Sequence, residues 1–68
     1  MEESIRNQLP GTVKSVVSDK VLSEVLLETS VGEIASIITT HSVQEMNLMP
    51  GDKVFALVKA TNVSLRRA

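Results

Sequence analysis

Cysteine, tryptophan and tyrosine are absent from this sequence, and Phe55 is its only aromatic residue. Without cysteine the chain has neither disulfides nor thiolate metal ligands, and His41 is the only imidazole that a metal ion could use. The chain has almost no aromatic surface on which nucleic-acid bases could stack. Its net charge of −1 also differs from the basic excess that is typical of a nucleic-acid-binding surface. We therefore expect no metal site, no cofactor and no nucleic-acid partner.

Long apolar runs and catalytic motifs are also missing. No stretch approaches the roughly 20 apolar residues of a membrane helix, and the start Met1-Glu2-Glu3 is the opposite of a basic signal peptide. The glycines are isolated, and neither a G-x-S-x-G elbow nor an H-E-x-x-H motif occurs. These absences predict a cytoplasmic protein that is not an enzyme and does not contact membranes.

The residues that are present predict one small all-β domain over 1–68. Valine, isoleucine, leucine and threonine dominate, and turn signals interrupt them at regular intervals: Pro10-Gly11, Ser18-Asp19-Lys20, Ser30-Val31-Gly32 and Pro50-Gly51-Asp52. Five strands and a late helix indicate a small OB-like barrel. The predicted strands cover 3–9, 12–18, 21–30, 33–40 and 53–62.

One short helix is predicted in the segment HSVQEMNLMPGD, before the last strand. Ser42 followed by Glu45 matches a capping box, and Pro50-Gly51 marks the end of the turn. This prediction leaves His41 in the loop just before the helix cap, where a solvated imidazole is the expected role.

The strands carry apolar residues on both faces. In VLSEVLLE, the alternation assigns Val21, Val25 and Leu27 to the core and leaves Leu22 and Leu26 on the opposite face. A sheet that is apolar on two faces needs a second surface to pack against. Because a chain of 68 residues buries only about 60% of its surface, we expect a homo-oligomer.

Several hydrogen-bond donors fall where they would suit a small anion. A hydroxyl and a guanidinium share a face of the first strand, two hydroxyls flank the helix start, and a lysine ends the last strand. Each also has an ordinary role, as a helix cap, a surface ion pair or a solvated strand end, and both interpretations stay open at this point. The donors are Ser4, Arg6, Thr39, Ser42 and Lys59.

Three segments, SIRNQLPGTV, ITTHSVQEMNLMPGDKV and ALVKATNV, together resemble the molbindins, the Mop-type molybdate-binding proteins of the TOBE and Mop domain family. The resemblance spans nearly the whole chain, with the motifs in order and at the expected separations. The positions that carry it are Ser4, Arg6, Asn7, Leu9, Gly11, Val13, Thr39, Ser42, Val43, Gly51, Asp52, Val54, Lys59, Ala60, Thr61 and Val63.

This resemblance implies an OB-like fold, dimers that exchange their first strand, and a hexamer built as a trimer of dimers. It also implies reversible binding of molybdate, and of tungstate, at subunit interfaces for molybdenum storage or homeostasis. By the same resemblance, one subunit supplies Ser4, Arg6, Lys59 and the backbone of Ala60, and its neighbour supplies Thr39 and Ser42.

Two other functions remain as alternatives. A small OB-like module can bind single-stranded nucleic acid, although the lone Phe55 and the acidic balance argue against it. The second alternative is a structural or regulatory protein-interaction module, in which ligand shifts assembly with a partner.

Overall fold

The computed structural model describes residues 7–68, which form one antiparallel sheet with a short helix on it. The sheet has four strands in the order β3-β2-β1-β4, so β3 and β4 are its edges. The predicted all-β class and the helix before the last strand are confirmed. The elements are β1 (Asn7–Ser18), β2 (Leu22–Thr29), β3 (Gly32–Thr39), α1 (Thr40–Met46), β4 (Lys53–Val58) and a 3-10 turn (Ala60–Asn62).

The first strand is continuous, so the predicted break at Pro10-Gly11 is wrong for residues 7–18. Val13 donates to Asp52 and accepts from Gly51, both on the β4 side. Since peptide groups alternate along a strand, those of residue 10 point the other way, toward β2. β1 begins to pair with β2 only at Gly11, opposite Thr29. No β2 residue therefore needs a hydrogen bond from the N–H that Pro10 does not have. The predicted residues 3–6 lie outside the described part of the chain.

Gly11 follows Pro10 because β2 passes close to the backbone there. A Cβ on Gly11 would lie 3.2 Å from the carbonyl oxygen of Glu28 and 3.2 Å from the Cγ2 of Thr29. A larger residue would therefore require Glu28 or Thr29 to shift by a few tenths of an ångström. The glycine that looked like a turn signal instead allows close strand pairing.

A bulge after Val13 lets both Val13 and Val16 face the core. Val13 pairs with Leu27, and after Lys14 the register shifts so that Val16 pairs with Val25. Lys14, left out of the pairing, forms an ion pair with Glu33 on β3. The hydrogen bond that the Lys14 ammonium donates to that carboxylate raises the pKa of Lys14.

The core is small. Its buried apolar side chains are Val13, Val25, Leu27 and Val43, the last of these on α1. Val25 and Leu27 were predicted core residues, whereas Val21 is 69% exposed and that prediction is wrong. Val21 lies in the turn before β2, where strand alternation does not apply.

Apolar residues on both faces are confirmed, most clearly on β4. Val54 and Ala56 pack against the core, whereas Phe55 is 64% and Leu57 53% exposed on the other face. Over the core, the sheet leaves a cleft of about 440 Å³ with apolar walls. Nothing among residues 7–68 covers these surfaces.

Candidate functional site

The start of α1 holds two of the predicted donors side by side. Thr39 ends β3 with an extended backbone (φ −70°, ψ 146°) and caps the helix, accepting a 3.1 Å hydrogen bond from the backbone N–H of Ser42. The predicted cap at Ser42 is therefore wrong by three residues. Ser42 lies inside the first turn, and the strand runs directly into the helix with no loop between them.

The hydrogen bonds give these two hydroxyls different roles. The Thr39 hydroxyl donates to the Ser42 Oγ at 2.8 Å, so its only hydrogen is committed. The Ser42 hydroxyl accepts this bond, and within residues 7–68 it donates to no protein group. Ser42 is thus ready to donate to a ligand, whereas Thr39 holds it in place.

His41 lies in the same turn, as the second residue of α1 and not in the predicted loop before it. Its Nε2 is 3.4 Å from the Oε2 of Glu45, one helical turn away, and both side chains are largely exposed. A solvent-exposed pair of this kind contributes little to stability.

Lys59 and Ala60 lie where β4 ends. The strand stops at Val58, so its predicted extension to residue 62 is wrong. The chain instead turns, and the N–H of Asn62 donates to the carbonyl of Lys59 at 2.8 Å. Lys59 and Ala60 are exposed, and Lys59 forms no ion pair with an acidic residue among 7–68.

A single chain does not bring these two groups together. Thr39 pairs with Leu22, at the end of the sheet that carries the turn between β1 and β2. Val58 pairs with Asn7, at the other end of β1 and on the opposite edge of the sheet. A 12-residue strand separates the two ends by roughly 35 Å along its length. Ser4 and Arg6 lie outside the described residues; Arg6 directly precedes Asn7 in the sequence.

A buried polar cluster behind Thr39 was missed by the sequence analysis. Ser23 is 1% exposed and lies within hydrogen-bond distance of Ser18 (2.6 Å) and Thr40 (2.8 Å) through the side-chain oxygens. The signal was present in VLSEVLLE, where a serine occupies a core-facing position between valines. A polar side chain at a core-facing strand position needs a hydrogen-bond partner.

The part of the chain that the structure describes has no group of three or more His, Cys, Asp or Glu side chains arranged to hold a metal ion. Among residues 7–68, α1 is too short to cross a bilayer and no other helix has the length and hydrophobicity to do so.

Comparison with known proteins gives consistent results. The TOBE domain family matches residues 3–65. The chain is 41% identical over 66 residues to molybdenum-pterin-binding protein 2 of Clostridium pasteurianum, covering 96% of this chain and 97% of that protein.

Two solved structures are also similar. A molybdate-binding protein from Sporomusa ovata superimposes with a TM-score of 0.93 at 40% identity, covering 98% of this chain and all (100%) of that one. The cytoplasmic molybdate-binding protein ModG, solved with molybdate bound, gives a TM-score of 0.80 at 41% identity, over 88% of this chain and 43% of that one.

The family match covers most of the chain, and the relative from Clostridium pasteurianum matches along nearly its full length. The motifs that carried the resemblance lie in the same region. This chain therefore belongs to the TOBE domain family, on its molbindin (Mop-type) branch.

Proposed function

We propose that this protein binds molybdate reversibly, and does not reject tungstate, at sites formed between two copies of the chain. The observation that carries this proposal is the position of the donors. Thr39 and Ser42 lie at one end of the sheet, and Lys59 and Ala60 lie at the other end. A site that uses both groups needs two subunits, and the similar solved proteins are described as molybdate-binding.

The chemistry of the donors suits a fully deprotonated oxyanion. The proposed site combines the hydroxyls of Ser4 and Ser42, the latter held in place by Thr39, with the cations of Arg6 and Lys59 and the backbone N–H of Ala60. These groups donate and offer little to accept a proton. Phosphate carries a proton near neutral pH that would lack an acceptor, so it binds poorly. Sulfate has the same charge and shape as molybdate and is excluded by its smaller size.

Assembly follows from the surfaces that one subunit leaves open. The apolar cleft over the core and the exposed Phe55 and Leu57 need covering, and a core of this size is marginal for a monomer. In the proposed assembly, dimers exchange the segment that precedes Asn7, which completes an OB-like barrel, and three dimers form a hexamer. Exchange of this segment brings Ser4 and Arg6 to a neighbouring subunit.

The proposed role is storage or buffering of molybdenum in the cytoplasm, without catalysis. The match to a molybdenum-pterin-binding protein supports the binding role, and the description of ModG as cytoplasmic supports the location. The bound molybdate is cargo, released unchanged.

Equilibrium dialysis with molybdate, and with sulfate as control, tests this function, and native mass spectrometry of the same samples gives the number of chains per assembly. The expected result is a six-chain species that retains molybdate and not sulfate. A protein that ignores molybdate in both assays would refute the proposal and direct attention to protein or nucleic-acid partners.

Two charge variants test the site itself. Arg6→Ala and Lys59→Met should each weaken molybdate binding by about tenfold or more, because each removes a charge-assisted hydrogen bond. Lys53→Met is the matched control, since Lys53 is an exposed lysine at the other end of β4. Equal affinity of Lys59→Met and Lys53→Met would remove Lys59 from the site.

A further inference from the structure

A buried serine lies inside the sheet behind the start of α1. Ser23 is the one polar residue buried among residues 7–68, and it faces the same side as Val25 and Leu27. A buried hydroxyl without partners is costly. This one lies 2.6 Å from the Ser18 Oγ and 2.8 Å from the Thr40 Oγ1, so it is fully bonded.

The direction of these hydrogen bonds is fixed. The Thr40 hydroxyl donates its only hydrogen to the carbonyl of Asp19 at 2.8 Å. Thr40 must therefore accept from Ser23, and Ser23 must accept from Ser18. The result is a chain of three hydroxyls that runs from β1 through β2 to α1 and ends on a backbone carbonyl in the turn between β1 and β2. We refer to Ser18, Ser23 and Thr40 as the hydroxyl chain.

The hydroxyl chain ends next to the proposed ligand donors. Thr40 follows Thr39 directly, and its N–H also donates to the carbonyl of Val21 at 2.9 Å. Thr40 is thus held to the β1–β2 turn by both its backbone and its side chain. The turn is itself braced, because the Asp19 carboxylate accepts from the N–H groups of Val21 and Leu22 at 2.8 Å each.

We propose that Thr40 and Ser23 are positioning residues for the oxyanion site and determine its selectivity. By tying the first residue of α1 to the β1–β2 turn, they fix where Thr39 and Ser42 stand relative to the donors of the neighbouring subunit. This distance sets the size of the cavity, and size is what separates molybdate from sulfate. The inference rests on the proposed function.

Thr40→Val tests this inference, because valine keeps the shape of threonine and removes the hydroxyl. Thr40→Ser is the rescue variant, since it keeps the hydroxyl. Thr29→Val is the matched control. Thr29 likewise donates its hydroxyl to a backbone carbonyl (Gly32, 2.6 Å) and accepts from a backbone N–H (Val31, 3.2 Å), but it does so in the turn between β2 and β3.

Two quantities are measured for each variant: the thermal midpoint without ligand, and the ratio of molybdate to sulfate affinity from dialysis in which sulfate competes with molybdate. Both Thr40→Val and Thr29→Val should lower the midpoint. Only Thr40→Val should lower the ratio, by about three- to tenfold, the range that corresponds to one lost hydrogen bond. Thr40→Ser should restore it.

An unchanged ratio in Thr40→Val, with molybdate still bound by the unmodified protein, would overturn this inference alone. Failure of the unmodified protein to bind molybdate would overturn the proposed function together with it. Should Thr40→Val not fold, Ser23→Ala takes its place. That variant keeps the hydrogen bond from Thr40 to Asp19 but removes the hydroxyl that donates to Thr40. An unchanged ratio of molybdate to sulfate affinity in Ser23→Ala would also overturn the inference.

Discussion

Thr39 and Ser42 offer a way to separate a structural role from a binding role within one turn of helix. The cap bond from the Ser42 backbone N–H ends on the Thr39 hydroxyl, whereas the Ser42 hydroxyl has a hydrogen to give. Thr39→Ala should therefore affect mainly stability, and Ser42→Ala should affect mainly ligand binding. The two substitutions are chemically similar and three residues apart, so each serves as a control for the other.

The expected magnitudes follow from these contacts. Loss of an N-cap hydroxyl costs about 1 kcal/mol, which for a domain of this size lowers the thermal midpoint by about 4–8 °C. Ser42→Ala keeps the capping N–H, and the Thr39 hydroxyl that it leaves without an acceptor is exposed to water. Its effect on stability should thus stay within about 0.5 kcal/mol. Its molybdate affinity should fall by about tenfold, the scale of a hydrogen bond to a charged ligand.

Circular dichroism is the suitable measure of unfolding, because a chain without tryptophan or tyrosine gives no useful intrinsic fluorescence. All variants need the same protein concentration, since in the proposed assembly the midpoint depends on it. Thr39→Ser should behave like the unmodified protein. The reasoning would be refuted if Ser42→Ala lost stability as Thr39→Ala does, or if it bound molybdate with unchanged affinity.

Two further predictions concern the core and the β1–β2 turn. In a urea titration, Leu27→Ala should lower the free energy of unfolding by about 2–5 kcal/mol, since Leu27 is 4% exposed. Val21→Ala, at a site that is 69% exposed, should change the free energy of unfolding by less than about 0.5 kcal/mol. Hydrogen bonds from the backbone N–H groups of Leu22 and Val21 lower the pKa of Asp19. The carboxylate therefore contributes fully to stability above the ordinary aspartate pKa of about 3.9, and this contribution is lost as the pH falls through the lower pKa of the folded state. Asp19→Ala should accordingly lose stability at pH 6 and differ less from the unmodified protein at pH 2, and a difference that does not shrink on acidification would contradict the pKa shift.

The sequence predicts strands well where one face is apolar, and less well where local residues mislead. The alternation in β2 identified Val25 and Leu27 correctly, because burial on one face selects every second residue. Pro10 and Gly11 looked like a turn, yet they lie within β1. At Pro10 no β2 residue needs a hydrogen bond from a backbone N–H, and at Gly11 a Cβ would come close to β2. Both facts depend on where β2 ends.

The helix start shows the same limit. Ser42 and Glu45 matched a capping box, but Thr39 caps the helix three residues earlier. Thr40 decides this, because its backbone and hydroxyl both bond to the turn between β1 and β2 and so draw the first residue of α1 toward it. Contacts between segments about 20 residues apart cannot be read from a local motif. The hydroxyl chain was missed for the same reason.

For the candidate site, the sequence predicted the residue types and the structure supplied their arrangement. Thr39 and Ser42 lie together as expected, and Lys59 and Ala60 lie at the far end of the sheet. Nothing in residue spacing distinguishes the Thr39 hydroxyl, whose hydrogen is committed, from the Ser42 hydroxyl, whose hydrogen is available. Ser4 and Arg6 remain predictions from the motif.

The separation of the donors also links ligand binding to assembly. If Ser42 and Lys59 contact the same anion, they come from different subunits, because in one chain they belong to opposite edges of the sheet. Separated subunits then lack a complete site, and any ligand that binds only the assembly stabilises it by mass action. The linkage is reciprocal, so mutations that weaken the interface lower the affinity for molybdate even when every donor is intact. A small chain that buries four apolar side chains among residues 7–68 can thus gain part of its stability from its cargo.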